Sequence, residues 1–314
     1  MIDDLALELL AVSEYTAIRS SMFLGKGDIE KADKAAIEAM WEKLKQIPTC
    51  GEIIVGEGLN DTIPHLFDGE KIGSCGNIMY SFAMRAIEGT APCVTGGMNS
   101  VSVIGIARKD SILAMPPVYM EKIVVGEDCK DVIDITKGTE YNIKAVAERK
   151  NIPVEFLTVT VLDRPRNRNI IKEIREVGAR IKLIGDGDVS GAIATAIEDS
   201  GVDMLMGSGG AREGVIASLA LKALGGGIQA VFWLKSDDQK HIIQDFQLEL
   251  DKVYTIDDFV KGDTAFAVTG ITDGDLVSGV KIFQGKIRTD SVVMDTVSKT
   301  FRRVQSTYPY NGRG

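Results

Sequence analysis

The residues best suited to chemistry lie in Met84-Arg85-Ala86-Ile87-Glu88-Gly89-Thr90, where an apolar, strand-like run from Ile78 to Met84 ends in an acid, a glycine and a hydroxyl residue. The backbone N–H groups of Gly89 and Thr90 can donate to an oxyanion. The Thr90 hydroxyl can orient a metal-bound water. Such a sequence is one way to build a metal-assisted phosphate site, although the tripeptide alone reads equally well as a strand leaving a sheet through a turn. One residue is out of place: Arg85 stands where a metal site would carry an acid.

Other groups offer related chemistry. Asp28, Asp33, Glu57, Asp61 and Glu88 sit at element ends or in Gly-rich loops. In Gly56-Glu57-Gly58 the acid follows a buried strand, and the flanking glycines allow close approach of backbone and ligand. Hard cations such as Mg²⁺ or Mn²⁺ take oxygen ligands of this type. Ile184-Gly185-Asp186-Gly187-Asp188 lies between a strand and a helix, where ligands bind in α/β sheets. Its acids suit sugar hydroxyls, while Asp188 also suits a helix N-cap. Gly207-Ser208-Gly209-Gly210-Ala211-Arg212-Glu213-Gly214 has Arg212 where a dinucleotide fingerprint needs glycine, which argues against NAD and leaves phosphate or sugar binding. Arg164-Pro165-Arg166-Asn167-Arg168 is a clamp for a second phosphate or a solvated basic turn.

Periodicity identifies the elements that must position these groups. Leu5, Leu9, Val12 and Ile18 mark a helix over residues 3–22, and Ala36, Met40 and Leu44 a second from Glu30 to Gln46. Glu52–Val55 is a short strand. Val101–Ala107 and Ser111–Met115 flank a turn and predict a hairpin. After a helix over 139–150, strands and helices alternate: strand 154–162, helix 169–177, strand 181–184, helix 189–197, strand 204–206, helix 213–224 and strand 228–234. Alternation implies βαβ units and a mostly parallel sheet. The fold class is therefore α/β, with an α+β N-terminal part, an α/β C-terminal part and a boundary near Asn151-Ile152-Pro153.

Composition excludes several functions. The chain has 314 residues, 45% hydrophobic and 26% charged, with a net charge of −9. That describes a globular protein with room for about two domains and no general affinity for nucleic acid. No apolar run is long enough for a membrane span, and the acidic start argues against a signal peptide, so a cytoplasmic location is expected. The four cysteines lack C-x-x-C spacing and are expected to be reduced thiols rather than a zinc site. With two histidines and no G-x-S-x-G elbow, catalysis is expected from carboxylates, hydroxyls and metals.

In combination, these segments resemble the class II fructose-1,6-bisphosphatases (the GlpX type), within the lithium-sensitive, metal-dependent sugar-phosphatase superfamily. The resemblance runs through Gly25-Lys26-Gly27-Asp28 with Ala32-Asp33, Val55-Gly56-Glu57-Gly58 with Asp61, Gly69-Glu70-Lys71-Ile72-Gly73 and Ile87-Glu88-Gly89-Thr90. It continues in Pro117-Val118-Tyr119-Met120-Glu121-Lys122, Gly185-Asp186-Gly187-Asp188, Gly209-Gly210-Ala211, Glu213-Gly214 and Thr269-Gly270-Ile271-Thr272. It implies a layered α-β-α-β-α fold, with residues 1–152 as a metal/phosphate-site domain and 153–314 as a sugar-binding domain. It implies Mn²⁺- or Mg²⁺-dependent hydrolysis of the 1-phosphate of fructose 1,6-bisphosphate in gluconeogenesis, by a homo-oligomer (dimer or tetramer). Asp33, Glu57 and Glu88 then resemble metal ligands, and Thr90 the group that positions the attacking water. Asp61 and Glu213 resemble further catalytic acids. Glu88-Gly89-Thr90, Tyr119, Arg164-Pro165-Arg166, Asp186-Gly187-Asp188 and Gly210 resemble substrate contacts. Sedoheptulose 1,7-bisphosphate or an inositol phosphate are alternative substrates, and the Arg164–Arg166 clamp favours a bisphosphate.

The family usually reads Asp-Pro-Ile-Glu-Gly-Thr where this chain has Arg85-Ala86-Ile87-Glu88-Gly89-Thr90, so Arg85 replaces a metal-bridging acid. Two charges about 4 Å apart interact by roughly 4 kcal/mol at an effective dielectric near 20, about three decades in cation affinity. Either a cation is lost and Arg85 substitutes for it, or hydrolysis is lost and the chain persists as a sugar-phosphate binder or regulatory protein.

Overall fold

The computed structural model describes residues 2–58, 64–73 and 77–310. The chain forms two compact units, residues 1–112 with 262–314 and residues 113–261. The expected junction at 152/153 falls inside the second unit, between helix Gly138–Lys150 and strand Thr158–Leu162.

In the first unit, helices Ile2–Ser21 and Ile29–Leu44 pack on an eight-stranded sheet, counted among the described residues. Leu5, Leu9 and Val12 of the first helix join Phe82, Met84, Ile104, Ile106, Ala265 and Ala267 in one core. Asp28 caps the second helix by accepting from Lys31 N at 3.1 Å. The sheet runs in the order Lys281–Phe283, Lys286–Asp295, Thr264–Gly270, Val101–Arg108, Tyr80–Glu88, Gly51–Val55 and Lys71–Ile72, with Thr300–Pro309 also paired to Lys286–Asp295. Every pairing is antiparallel except Gly51–Val55 with Tyr80–Glu88. That parallel pair matters because it brings the carboxyl ends of two strands side by side.

The second unit is a six-stranded sheet, ordered Tyr254–Thr255, Gly227–Trp233, Tyr119–Val125, Met204–Gly210, Thr158–Leu162 and Arg180–Ile184. Ile123, Val125, Val159, Val161, Met204 and Met206 face helices Gly138–Lys150 and Arg168–Val177. The opposite face, with Lys122, Thr160 and Leu205, meets helices Asp188–Ala194 and Ala211–Leu224: a Cβ on Gly191 would touch Leu205 and Thr160, and one on Gly214 would touch Lys122. Helices and mixed sheets throughout make this an α/β protein, as expected.

Three expectations are corrected. Residues 111–115 form no hairpin, because both edges of strand Val101–Arg108 are taken by Tyr80–Glu88 and Thr264–Gly270. The second sheet is mixed rather than mostly parallel. Strand Tyr119–Val125 precedes the βαβ alternation and inserts antiparallel between Met204–Gly210 and Gly227–Trp233. Cys93 and Cys129 are free and buried, but Cys50 is disulfide-bonded, since linear spacing does not report which sulfurs the fold brings together. No helix among the described residues is long and apolar enough to cross a membrane.

Candidate active site

In the first unit the site grows from the ends of the parallel strands. Gly51–Val55 runs into Gly56-Glu57, and Tyr80–Glu88 into Gly89-Thr90. The ladder between Tyr80–Glu88 and Val101–Arg108 shifts register between Arg85 and Glu88. The Ala86 N–H instead donates to Glu57 Oε1 at 2.5 Å, which fixes that carboxylate beside the strand. Glu88 ends the strand and is buried. Gly89 then adopts φ +87°, a left-handed conformation costing other residues about 1–2 kcal/mol, and the chain turns directly into helix Thr90–Thr95. This turn aims Thr90 at the second helix, where its hydroxyl donates to Asp33 Oδ1 at 2.7 Å. Gly25 N and Gly27 N, just before that helix, donate to Cys93 O and Val94 O and tie the two segments together.

Burial raises the Asp33 carboxyl above the usual carboxylate range, opposed by the Thr90 hydroxyl and by the charge of Arg85. Arg85 donates from Nη1 to Gly56 O at 2.5 Å and lies 3.5 Å from Glu57 Oε2. Its guanidinium thus bears on both Asp33 and Glu57. By donor type, Asp33, Glu57 and Glu88 suit a hard cation. By placement they do not: among the described residues no group of three or more acids, histidines or cysteines is arranged to hold a metal ion. The positive charge beside Glu57 is an arginine. Asp61 lies outside the described residues.

The second unit carries a separate set. Asp186 and Asp188 flank Gly187, which has φ +93° and opens helix Asp188–Ala194. Burial raises the Asp186 carboxyl, helped by the nearby charges of Asp188 and Glu213 and opposed by the Gly187 N–H and Arg164. Arg164 Nη2 lies 4.0 Å from Asp186 Oδ2. Pro165 opens the single turn Pro165–Asn167 and contributes shape rather than a donor. Arg166 donates from Nε to Ser208 O at 3.0 Å and places its guanidinium 4.4 Å from the centre of the Tyr119 ring. Gly210 pairs with Tyr119 across the sheet, and its carbonyl accepts from Lys122 Nζ at 3.0 Å. Glu213 folds back over Gly210, where a Cβ would stand 1.8 Å from Glu213 Oε2.

Two residues escaped the sequence reading. Lys235 Nζ sits 4.3 Å from the Tyr119 ring centre, so a second cation joins Arg166 there. It is brought in by the pairing of Tyr119 with Trp233, a long-range register with no local signature. Lys122 forms a buried ion pair with Asp188. Its strand carries two adjacent charges, Glu121 and Lys122, and only the finished sheet shows that Lys122 is the buried one. Arg166 and Trp233 line a cavity of about 420 Å³ with Glu121, Asn167 and Ser208.

The first unit thus gathers a hydroxyl–carboxylate pair with further acids, and the second a set of carboxylates and, apart from them, two cations over Tyr119. Residues 3–308 match the family model described as bacterial fructose-1,6-bisphosphatase, glpX-encoded. The chain is 38% identical to the D-fructose 1,6-bisphosphatase class 2/sedoheptulose 1,7-bisphosphatase of Trichodesmium erythraeum (strain IMS101), covering 98% of this chain and 96% of that protein. It is 36% identical to the protein of the same name from Synechococcus sp. (strain JA-2-3B'a(2-13)), covering 100% and 98%. With agreement along its whole length, the chain belongs to the bacterial glpX-encoded fructose-1,6-bisphosphatases, a family of metal-dependent phosphatases.

Proposed function

We propose that this protein hydrolyses the 1-phosphate of fructose 1,6-bisphosphate to fructose 6-phosphate, with sedoheptulose 1,7-bisphosphate as a second substrate. The observation that carries this reading is the full-length match to the family. The side-chain geometry supports it. Thr90 donates its hydroxyl hydrogen to Asp33, leaving its oxygen to accept from a water. The water oxygen attacks phosphorus as its proton passes to Thr90 and the Thr90 proton to Asp33. The phosphorus–oxygen bond to the sugar breaks, and the departing alkoxide takes a proton from solvent. Arg85 supplies positive charge to the phosphate from its anchored position on Gly56 O. In the second unit, Asp186 and Asp188 accept from sugar hydroxyls. Tyr119, Arg164, Arg166 and Lys235 of the same unit are suited to a phosphate.

Were a cation taken up, the donor types of Asp33, Glu57 and Glu88 would suit Mn²⁺ or Mg²⁺, which would supply Lewis-acid charge at the phosphate. One observation favours a second reading, a sugar-phosphate binder without turnover: the Arg85 guanidinium stands beside Glu57, where the family carries an acid. The deciding assay measures phosphate release from both bisphosphates with Mn²⁺, with Mg²⁺ and with EDTA. Turnover of either substrate under any of these conditions supports hydrolysis. Binding of fructose 1,6-bisphosphate with no release under all of them supports the binder.

A further inference from the structure

Lys122 has no role in the chemistry described so far, yet it is one of the most constrained side chains in the molecule. It sits mid-strand in Tyr119–Val125 and is 3% exposed. Its strand neighbours are Gly207 and Ala230. The ammonium forms an ion pair with Asp188 Oδ2 and donates to Gly210 O at 3.0 Å. Gly209 closes the arrangement: a Cβ there would stand 2.2 Å from Asp188 Oδ2 and 2.9 Å from Lys122 Nζ. Asp188, Gly210 and the strand carrying Lys122 thus meet at a single nitrogen.

A buried lysine is costly unless paired, and removing one member of a buried pair leaves the other charge uncompensated. The neighbourhood sharpens the point, because the charges of Asp188 and Glu213 both bear on Asp186. Three carboxylates at close quarters repel one another. Lys122 is the cation that contacts one of them directly from inside the sheet. It fixes which way the Asp188 carboxylate points and, through Gly210 O, the strand end on which Glu213 folds.

We propose that Lys122 is the positioning residue of the hydroxyl-binding acids, holding the Asp188 carboxylate aimed so that it can accept from a sugar hydroxyl. The proposal rests on the reading that Asp186 and Asp188 contact the sugar, and its test separates the two. The probe is fructose 6-phosphate, whose binding is followed by calorimetry in the full-length protein, with KM and kcat for the bisphosphate measured alongside. Asp188→Asn tests the underlying reading, and is expected to weaken fructose 6-phosphate binding about tenfold or more. Lys122→Met is expected to weaken it similarly, raising KM far more than it lowers kcat. The Lys122→Met/Asp188→Asn double variant removes both charges and remains interpretable if Lys122→Met alone does not fold. Its affinity should match that of Asp188→Asn, because Lys122 acts through Asp188. If Asp188→Asn leaves binding unchanged, the sugar-contact reading fails and the proposal with it. If Asp188→Asn weakens binding while the double variant is weaker again by the same factor, Lys122 does not act through Asp188 and the positioning role is wrong. Unchanged product binding in a folded Lys122→Met, or a fall in kcat with KM unchanged, would also overturn it.

Discussion

Reversing the charge at Arg85 should convert the first-unit site into a divalent-cation site. Arg85 Nη1 lies 3.5 Å from Glu57 Oε2, and the side chains are 16% and 14% exposed. Coulomb's law at an effective dielectric near 20 gives roughly 4–5 kcal/mol for unit charges at that separation. Screening and side-chain relaxation reduce this by about half, to roughly 2 kcal/mol per unit of charge. Arg85→Asp changes the charge by two units, so a cation beside Glu57 gains about 4 kcal/mol per unit of its own charge, and about three decades in affinity is a lower bound for a divalent ion. Calorimetric titration with Mn²⁺ reads this directly. The expected result is Mn²⁺ binding at least ~100-fold tighter in Arg85→Asp than in the wild type. Without metal, Arg85→Asp should melt below the wild type, since Glu57 then faces a second carboxylate; Mn²⁺ should restore the difference. Equal Mn²⁺ affinity in the two proteins would refute the claim that the guanidinium occupies the cation's electrostatic position.

Other outcomes follow from the same geometry. Thr90→Val removes the hydroxyl that bonds Asp33, and steady-state kinetics should show kcat falling roughly 100-fold with a smaller change in KM. Arg166→Met and Lys235→Met each remove one of the two cations over Tyr119. Each should raise KM for fructose 1,6-bisphosphate about tenfold, with a much smaller change in kcat. Burial pushes the Asp290 carboxyl up, but bonds from Arg303 and the Ser278 N–H outweigh it and hold the group below its ordinary value. A depressed carboxyl stabilises the fold above its unfolded pKa, and that contribution is lost as pH falls through the lower folded value. Asp290→Asn should therefore lower the melting temperature at pH 7, and the gap from the wild type should close as pH falls below about 4.

The local half of the site was legible because its signals are local. An apolar run ending in Glu88-Gly89-Thr90 reads as a strand meeting a special turn, and Gly89 does supply a left-handed residue there. Val55-Gly56-Glu57 reads the same way, although nothing in either segment announces that the two strands pair in parallel and present their ends together. Helices Ile2–Ser21 and Ile29–Leu44 followed from their apolar spacing. What periodicity missed depends on long-range register. The antiparallel insertion of Tyr119–Val125 turned an expected parallel sheet into a mixed one, and the same pairings deliver Lys235 to Tyr119 and Gly209 to the Lys122–Asp188 pair. The disulfide at Cys50 and the absence of a 111–115 hairpin likewise depend on which edges and sulfurs the finished fold brings together. Arg85 was visible as a charge in the wrong place. Its anchoring on Gly56 O joins residues 29 apart in the chain and has no local signature.

Phosphorus NMR of fructose 1,6-bisphosphate incubated with the wild-type protein and Mn²⁺ tests the central claim most directly. The expected result is loss of the 1-phosphate resonance, growth of one equivalent of inorganic phosphate and retention of the 6-phosphate as fructose 6-phosphate. Unchanged substrate resonances over many hours, from protein shown by calorimetry to bind the same sugar phosphate, would contradict it.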